Sequence, residues 1–530
     1  MNNSNNIFQQ KRILLAVVIS FLFFIVYDYF FIPKLPIQTE QNQTQNASKS
    51  INAPVQKDIQ SPMTTKNMTT KNIIVNIQSQ HFQAQIDSLG RIVNFYLKDK
   101  KYQDEKGEFI NLISSQAPFY PLEIRFSDTS INQEAFNTHY QSDEKDIFID
   151  ENASYTIHLK QKLSNLLVEK ILTFYPKGNY DIKVKLSKDT HYFITPGYRP
   201  DIALDSYTVH GALVMDDKES IHTFEDEKVD KDENIKNAFI ASAFDRYYAT
   251  FFYNFDKPFN VIISKDEKEN PLIFVSSLNE FNAGAYIGSK EHIILKSIDP
   301  RLQAVVEYGW FTFIAKPMFE FLNFLHQYIG NWGWAIVIMT LIVRIILFPL
   351  TYKSMISMNK LKDLAPKMKE IKDRYKGDPQ KMNMQMNMQM MDLYKKHGAN
   401  PMSGCLPILL QIPIFFAIYR VLLNAIELKA APWAFWIHDL SIMDPYFILP
   451  ILMGATMFLQ QLITPMTIQD PMQAKIMKFL PVIFTFFFIT FPAGLTLYWF
   501  INNLCSLVQQ WVINKMFAKE HDKKIDGVKK

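Results

Sequence analysis

Cysteine is nearly absent from this chain: its 530 residues contain only Cys405 and Cys505, and both lie in apolar runs. A scaffold held together by disulfide bonds is therefore excluded. The polar part of the chain has no cysteine at all. It must fold without a disulfide even if it is exported to a compartment that would permit one.

The motifs of several common enzyme classes are also absent. No GxxxxGKS/T occurs, which argues against a P-loop ATPase, and neither GxSxG nor HExxH is present. Seven histidines between residues 72 and 308 are scattered without the spacing of metal ligands. The long apolar runs, which are assigned below as membrane spans, lack the Ser/His pair or paired aspartates that an intramembrane protease needs. We therefore expect a protein that is not an enzyme and that binds no cofactor and no metal.

The apolar residues are concentrated in a few runs. They make up 48% of the chain, yet the mean hydropathy is only -0.07 and the net charge is +4. This combination predicts membrane spans joined to a large soluble part. Six runs are predicted to be spans: 13–32, 334–350, 405–423, 446–463, 479–491 and 495–513. The fifth is short for a bilayer, although Ile476 and Met477 could extend it.

The sequence of the first 308 residues predicts an anchor, a linker and a β domain. Residues 1–32 form an uncleaved N-terminal anchor; a cleaved signal peptide is the alternative, but residues 31–36 offer no small-residue cleavage site. Residues 33–71, rich in Gln, Asn, Ser and Thr, predict a flexible linker. Residues 72–308 alternate polar and apolar positions and predict one β domain. Its strand candidates are 73–77, 82–86, 167–174, 182–186, 247–253, 260–264, 272–276 and 292–296, with a hairpin turn at 176–179.

The distribution of lysine and arginine predicts the orientation. Residues 352–400 contain eleven basic residues and six lysines follow Asn514, whereas the loop 424–445 has only Lys429. The positive-inside rule then places both termini, segment 352–400 and loop 464–478 in the cytoplasm, and the β domain outside.

Outside the spans, two segments are predicted to be helical and the C-terminal segment is predicted to be a basic tail. Residues 309–330 form an interfacial amphipathic helix. Segment 352–400 forms a helical hairpin of helices 354–376 and 378–397, with a kink at Pro366 and an end at Gly398. Residues 514–530 form a basic cytoplasmic tail.

Arg344 is the most informative residue of the spans. A fixed cation at the centre of a span costs about 2.5–3.5 kcal/mol on insertion scales, and arginine cannot lose its proton to avoid this cost. One interpretation is snorkelling towards water near Lys353, but nine helical residues correspond to about 13 Å, further than a side chain reaches. The other interpretation is a hydrated cavity in which Arg344 attracts an anionic guest.

Uncharged polar residues accompany Arg344 in the spans. Thr340 lies four residues earlier on the same helix face. The others are Gln411, Gln460, Gln461, Tyr498, Asn502 and Asn503. Each alone is explained by hydrogen bonding between helices, but together they indicate a hydrophilic groove. The methionine-rich run 382–391 suits either an ordinary hairpin helix or a soft surface for varied apolar segments.

A series of motifs covers most of residues 308–513 in order. The motifs are Asn331-Trp-Gly, Arg344 followed by Phe348-Pro-Leu-Thr351, Asn400-Pro-Met-Ser-Gly-Cys-Leu-Pro407, Gln411-Ile-Pro-Ile-Phe415, Trp436-Ile-His-Asp-Leu440, Asp444-Pro-Tyr446, Pro450-Ile-Leu-Met-Gly454, Asp470-Pro-Met-Gln473 and Phe491-Pro-Ala-Gly494. This series resembles the YidC family of membrane-protein insertases. The β region matches the Gram-negative form of that family in position and size, and Tyr286-Ile-Gly288 resembles a short motif near its end.

The resemblance implies a polytopic α-helical membrane protein of the bacterial inner membrane. Its six spans would be a five-helix insertase core plus the N-terminal anchor, joined to a β-super-sandwich periplasmic domain. The implied activity is ATP-free insertion of nascent membrane proteins through a groove open to the cytoplasm and to membrane lipids. The Sec translocon and translating ribosomes are the implied partners.

The resemblance also implies substrate-binding residues. Arg344 would lie inside the groove, with Thr340 and Trp499 facing the substrate; Gln411 and Tyr498 complete the candidate set. The family commonly has Tyr-Tyr where this chain has Tyr498-Trp499; the tryptophan keeps an aromatic face and a donor but has no hydroxyl acceptor.

Two alternatives remain open on the sequence. A transporter would use Arg344 as an anion site, but it should show internal repeats and none is seen. A membrane-anchored periplasmic sugar-binding protein would place the function in the β domain.

Overall fold

The structure is a computed structural model that describes residues 72–104, 106–204, 208–306, 308–374, 379–398, 406–464 and 471–528. These residues belong to two compact units, one before and one after residue 307. The predicted anchor at 13–32 and the linker at 33–71 lie outside the described residues.

The first unit is rich in strands whose residues alternate between buried and exposed positions. Both β6 and β7 show this alternation over eight residues, as expected for strands with one buried face. The strands are β1 Ile73–Ser79, β2 Phe82–Asp87, β3 Ile92–Leu97, β4 Ile124–Phe126, β5 Asp146–Ile149, β6 Tyr155–Lys162, β7 Leu167–Phe174, β8 Asn179–Leu186, β9 His191–Ile194, β10 Gly211–Asp216, β11 Ile221–Glu225, β12 Glu233–Phe244, β13 Tyr248–Tyr253, β14 Phe259–Lys265, β15 Pro271–Leu278 and β16 Glu280–Ser289. Two α-helices, α1 Thr129–Asn137 and α2 His292–Ile298, complete the unit.

The strands form two sheets that pack against each other. The smaller has the order β3-β2-β1-β5, and the larger has twelve strands in the order β4-β9-β15-β14-β12-β13-β16-β8-β7-β6, with β10 and β11 beside β12. Phe82 of the small sheet stacks on Phe95 and lies 6.2 Å, ring centre to ring centre, from Phe174 of the large sheet. Two sheets that share an aromatic core agree with a sandwich architecture.

The predicted β-hairpin is confirmed, whereas one strand candidate is wrong. The strands β7 and β8 are antiparallel around the turn that contains Gly178, whose φ of 91° suits a residue without Cβ. Residues 292–296 form helix α2 rather than a strand. His292 and Leu295 are buried and Ile293 is 55% exposed, so the buried positions are three apart, as on one helix face. A short apolar run is ambiguous between the two periods.

A fully buried lysine lies in the core of this unit. The Lys170 ammonium donates to the carbonyl oxygens of Gly90 and Leu122 at 2.9 and 2.8 Å and lies 4.5 Å from the centre of the Tyr140 ring. Burial lowers the pKa of Lys170 to about 7, an effect that the nearby Asp87 carboxylate partly opposes. Below that pH the charged amine is retained in the core at a cost in stability.

The stability of the β domain is therefore expected to rise with pH between 7 and 9. The folded-state pKa of Lys170 lies below its unfolded value, so the unfolded chain binds more protons in this window, and the gain approaches about 1.4 kcal/mol per pH unit. Thermal unfolding of the detergent-solubilised chain, followed by β-sheet circular dichroism, measures the slope. Lys170→Met should remove it, while Lys160→Met, which alters an exposed lysine on β6, should leave it unchanged. A wild-type slope that survives Lys170→Met would contradict the assignment.

The second unit is helical. Its α-helices are α3 Thr312–Ile329, α4 Trp332–Arg374, α5 Pro379–His397, α6 Leu406–Asn424, α7 Ile448–Ile463, α8 Pro471–Phe488 and α9 Ala493–Val528. The long helix α9 packs against α4 and α7, and α7 packs against α8. Gly454 allows this last contact, because a Cβ there would lie 1.8 Å from Thr485 Oγ1.

The structure corrects two predicted helix boundaries. The predicted span at 334–350 and the predicted hairpin helix at 354–376 are a single helix, α4, which includes Pro349 and continues to Arg374. The polar residues 351–353 end the apolar run but not the helix, because apolarity alone does not report where a helix stops. Helix α8 begins at Pro471, eight residues before the predicted span, and ends at Phe488. Apolarity alone located that span, and the polar turns that extend a helix carry no such signal. Asp378, the predicted start of the second hairpin helix, lies outside the described residues.

The second hairpin helix ends as predicted. Gly398 follows α5 with a φ of 56°, and its amide donates to Lys395 O. The methionine-rich run is divided between two faces of α5. Met386 is buried and Met390 packs on the cluster that α5 forms with α4, whereas Met388 and Met391 are 63% and 53% exposed.

Apolar character is unequal among the helices of this unit. Within the described residues, Trp332–Leu361 alone is long and apolar enough to cross a membrane, and an 18-residue window within it has a mean hydropathy of 2.3. Shorter apolar stretches cover Gln411–Asn424, Ile448–Ile463 and Lys478–Phe488.

Candidate functional site

Arg344 lies in the apolar half of α4. Its side chain is only 8% exposed, while the next two residues, Ile345 and Ile346, are each 70% exposed. The helix thus turns one apolar face outwards and directs its arginine into the protein. A cation in such a position needs hydrogen-bond acceptors, since desolvation of an unpaired charge is costly.

Within the part of the chain that the structure describes, the Arg344 guanidinium donates two hydrogen bonds, and both go to Asn502 on α9. The Nε atom donates to Asn502 Oδ1 at 2.7 Å, and Nη2 donates to the main-chain oxygen of the same residue at 2.9 Å. Ser506 Oγ donates to that main-chain oxygen as well, at 3.0 Å. The acceptors of the cation are therefore neutral oxygen atoms, so its positive charge is hydrogen-bonded but not neutralised by them.

Gln411 joins the same cluster from α6. Its Nε2 atom donates to Asn502 Oδ1 at 3.0 Å, so this single oxygen accepts from both Arg344 and Gln411. Three helices, α4, α6 and α9, thus meet at one buried polar contact. We call Arg344, Asn502 and Gln411 the polar cluster.

Thr340 and Tyr498 lie in the interior of the helical unit. Thr340 is 1% exposed, and its hydroxyl donates to Ile336 O of its own helix at 2.7 Å rather than to Arg344. Tyr498 is 2% exposed. A substrate can contact either side chain only if the helices separate.

Trp499, three residues before Asn502 on α9, belongs to an aromatic group. Its ring meets Phe415 edge-on at 4.5 Å and lies 5.1 Å from Phe488 and 6.4 Å from Phe484, measured between ring centres. The indole Nε1 is buried and has no hydrogen-bond acceptor among the described residues. This tryptophan presents a half-buried aromatic face, while its indole donor is enclosed.

Two residues were missed as site candidates by sequence reasoning. Asn502 was recognised as one polar residue among several, but its spacing from Arg344 could not show that it holds the arginine. Arg420 is a second arginine within a predicted span, 4% exposed on α6. Its position near the end of an apolar run was a readable signal, because buried arginines in spans are rare.

The loop between α6 and α7 is folded onto neighbouring helix ends. The amides of Ala493 and Gly494, at the start of α9, donate to Ile442 O and Leu440 O at 2.6 and 2.9 Å. Asp444, 1% exposed, accepts from the Trp436 indole at 2.9 Å and from the Leu449 amide at 2.7 Å. We call residues 425–447 the cap loop.

Comparison with known proteins identifies the family. Residues 324–520 match the family model described as 60Kd inner membrane protein, and residues 74–321 match the model of the YidC periplasmic domain. A Campylobacter jejuni protein named membrane protein insertase YidC is 75% identical over 99% of this chain and 100% of its own length. This chain belongs to the YidC family.

A second YidC, from Wolinella succinogenes, is 51% identical over 97% of this chain and 96% of that protein. A crystal structure described as an active YidC insertase with its first transmembrane domain resolved covers 83% of this chain and 94% of that chain at 19% identity, with a TM-score of 0.36. The family assignment follows from the sequence identities. It gives the chain a periplasmic β-rich domain and a helical membrane core, and the polar cluster lies in the segment that matches the 60Kd model.

Proposed function

We propose that this chain is a membrane protein insertase and chaperone. It moves hydrophobic segments of nascent proteins into the inner membrane through a hydrophilic groove, without ATP hydrolysis, alone or with the Sec translocon. Its relatives carry the name membrane protein insertase. The observation that carries the proposal is the polar cluster, a cation whose hydrogen-bond acceptors among the described residues are neutral oxygen atoms. Such a group attracts a polar or acidic segment that would otherwise be costly to move into the membrane.

The proposed topology has six spans with both termini in the cytoplasm. It comprises the anchor 1–32, linker 33–71, periplasmic β-super-sandwich 72–308, interfacial helix 309–330, core 331–513 with its hairpin 352–400, and basic tail 514–530. The concentration of basic residues in 352–400 and after Asn514 supports this orientation.

The groove opens towards the cytoplasm and the lipid and is closed outside. Closure is supported by the cap loop, whose main chain accepts hydrogen bonds from the first residues of α9. An opening on both sides would leak ions across the membrane. Arg344, Gln411, Thr340, Tyr498 and Trp499 are the proposed substrate contacts, the buried Thr340 and Tyr498 only after helix separation. Transfer of the apolar substrate helix into lipid then drives release.

Crosslinking from the groove to a stalled nascent membrane protein tests the proposal. A photoreactive residue at Gln411 or Trp499 should crosslink to the nascent chain, because both side chains are partly accessible and Gln411 shares the Asn502 oxygen with Arg344. The matched control is Ile345, which neighbours Arg344 on the same helix but is 70% exposed on the outward face. It should crosslink mainly to lipid. Nascent-chain crosslinks of equal strength from all three positions would refute a defined groove.

The basic hairpin and tail are proposed to dock on translating ribosomes. Segment 352–400 has eleven basic residues and the tail has six lysines, so binding to ribosomal RNA should weaken steeply as salt rises. Cosedimentation with ribosomes at several salt concentrations measures this dependence. Neutralising the tail lysines should reduce both binding and its salt slope. Unchanged cosedimentation would show that these charges serve only to orient the protein in the membrane.

The two alternative functions find no support in the comparisons. The relatives are named as insertases across almost the whole length of this chain, not as transporters or sugar-binding proteins. Deleting residues 72–307 while keeping the helical core separates these classes. An insertase should retain most of its activity, and a periplasmic binding protein should lose it.

A further inference from the structure

The side-chain oxygen of Asn502 occupies the point where two donors of the polar cluster converge. Arg344 Nε and Gln411 Nε2 both donate to Oδ1, at 2.7 and 3.0 Å. Asn502 is 7% exposed and Arg344 is 8% exposed, so water has little access to either side chain. The protein therefore supplies its own acceptor to the donor pair.

An uncharged amide oxygen binds these two donors more weakly than a carboxylate oxygen would. A carboxylate oxygen in the same place would add an ion-pair attraction to the bond from Arg344 and would make the bond from the neutral Gln411 amide charge-assisted. Without any acceptor, the two donors would remain buried and unsatisfied, which is also costly. Asn502 thus satisfies the donors while leaving them able to exchange for a better acceptor.

The main-chain bond would keep Arg344 in place during such an exchange. Arg344 Nη2 donates to Asn502 O at 2.9 Å, and this oxygen belongs to the backbone of α9. Rotation of the Asn502 side chain removes Oδ1 without moving the backbone. The guanidinium therefore remains tethered at one nitrogen while its Nε becomes free.

We propose that Asn502 is a positioning residue whose Oδ1 occupies the Arg344–Gln411 donor pair in the resting protein and is displaced by a substrate carboxylate. This inference rests on the proposed insertase function. Gln411 is then a second donor to the incoming acidic group, and the neutrality of Asn502 determines how readily that group enters.

The test compares Asn502→Asp with wild type in proteoliposomes. The aspartate has the same shape but binds Arg344 as an internal ion pair, so insertion of a small acidic-tailed substrate should fall by about tenfold. The same substrate with its acidic residues changed to amides should be affected much less. The melting temperature of the variant in detergent should rise. Opposite changes in stability and activity are not expected from damage to a structural residue.

Gln510→Glu is the matched control for a new buried carboxylate. Gln510 is 3% exposed on the same helix, eight residues nearer the C-terminus, and it bonds Asn514 rather than the polar cluster. The Gln510→Glu variant should insert both the acidic substrate and its amide form at rates close to wild type. Equal losses in Asn502→Asp and Gln510→Glu, or a lower melting temperature for Asn502→Asp, would overturn the proposal.

Asn502→Ala gives an independent test if the aspartate variant does not accumulate. Removing the internal acceptor should lower the half-saturating concentration of the acidic substrate by several-fold, because one competing hydrogen bond is lost. The half-saturating concentration of the neutral substrate should stay unchanged. A higher half-saturating concentration of the acidic substrate, as expected for loss of Arg344, would overturn the proposal. If Arg344→Ala inserts the acidic substrate normally, the proposed function fails; if only the Asn502 variants behave as wild type, this inference alone fails.

Discussion

Arg344→Ala is expected to lose most insertion of a small acidic-tailed substrate, by about tenfold or more in initial rate. The alanine removes the positive charge that the polar cluster holds without a carboxylate. Arg344→Lys should retain much of the activity, because it keeps the charge although it loses the planar fork of donors. Insertion into proteoliposomes, followed by protease protection of the translocated tail, measures both variants.

The acidic residues of the substrate provide the control for this prediction. A substrate in which they are replaced by amides should insert at similar rates with wild type and Arg344→Ala, because no charge attraction is lost. Equal insertion of the acidic substrate by wild type and Arg344→Ala would exclude an electrostatic role for this residue. A lysine variant as inactive as the alanine variant would show that shape matters more than charge.

A single cysteine at Gln411 is expected to react with a membrane-impermeant thiol reagent from the cytoplasmic side and not from outside. Gln411 is partly exposed beside Arg344, and the cap loop is folded over the first residues of α9. The native Cys405 and Cys505 are replaced first. A cysteine at Thr340 should be protected from the reagent on both sides, because that side chain is only 1% exposed.

Two further positions calibrate the labelling experiment. A cysteine at Phe435 of the cap loop, where the native side chain is 85% exposed, should react only from outside. A cysteine at the exposed Lys396 of the hairpin should react only from the cytoplasm. Labelling of Gln411→Cys from outside would favour a two-sided channel. Failure to label it from either side would mean that the resting groove is not hydrated at this depth.

Element type was predictable wherever a long pattern was present. The alternation in 167–186 predicted β7 and β8 with their turn, and the apolar run at 446–463 predicted α7. Prediction failed where the signal was short or where the apolar run ended before the helix. Residues 292–296 have too few positions to separate the strand period from the helix period. Residues 351–353 end the apolar run without ending the helix, and α4 runs past Pro349 and continues to Arg374.

The sequence by itself determined that a cation lies in an apolar helix among polar neighbours, because composition and spacing along one helix are local properties. It also determined the family, through motifs that lie in order along the core. Only the tertiary structure decided which neighbours matter. Asn502 lies 158 residues from Arg344 and Gln411 lies 91 residues from Asn502, and helix packing brings them within hydrogen-bond distance. The same packing buried Thr340 and Tyr498. Hydrogen bonds between helices depend on their rotation and depth relative to each other, which spacing within a single helix does not encode.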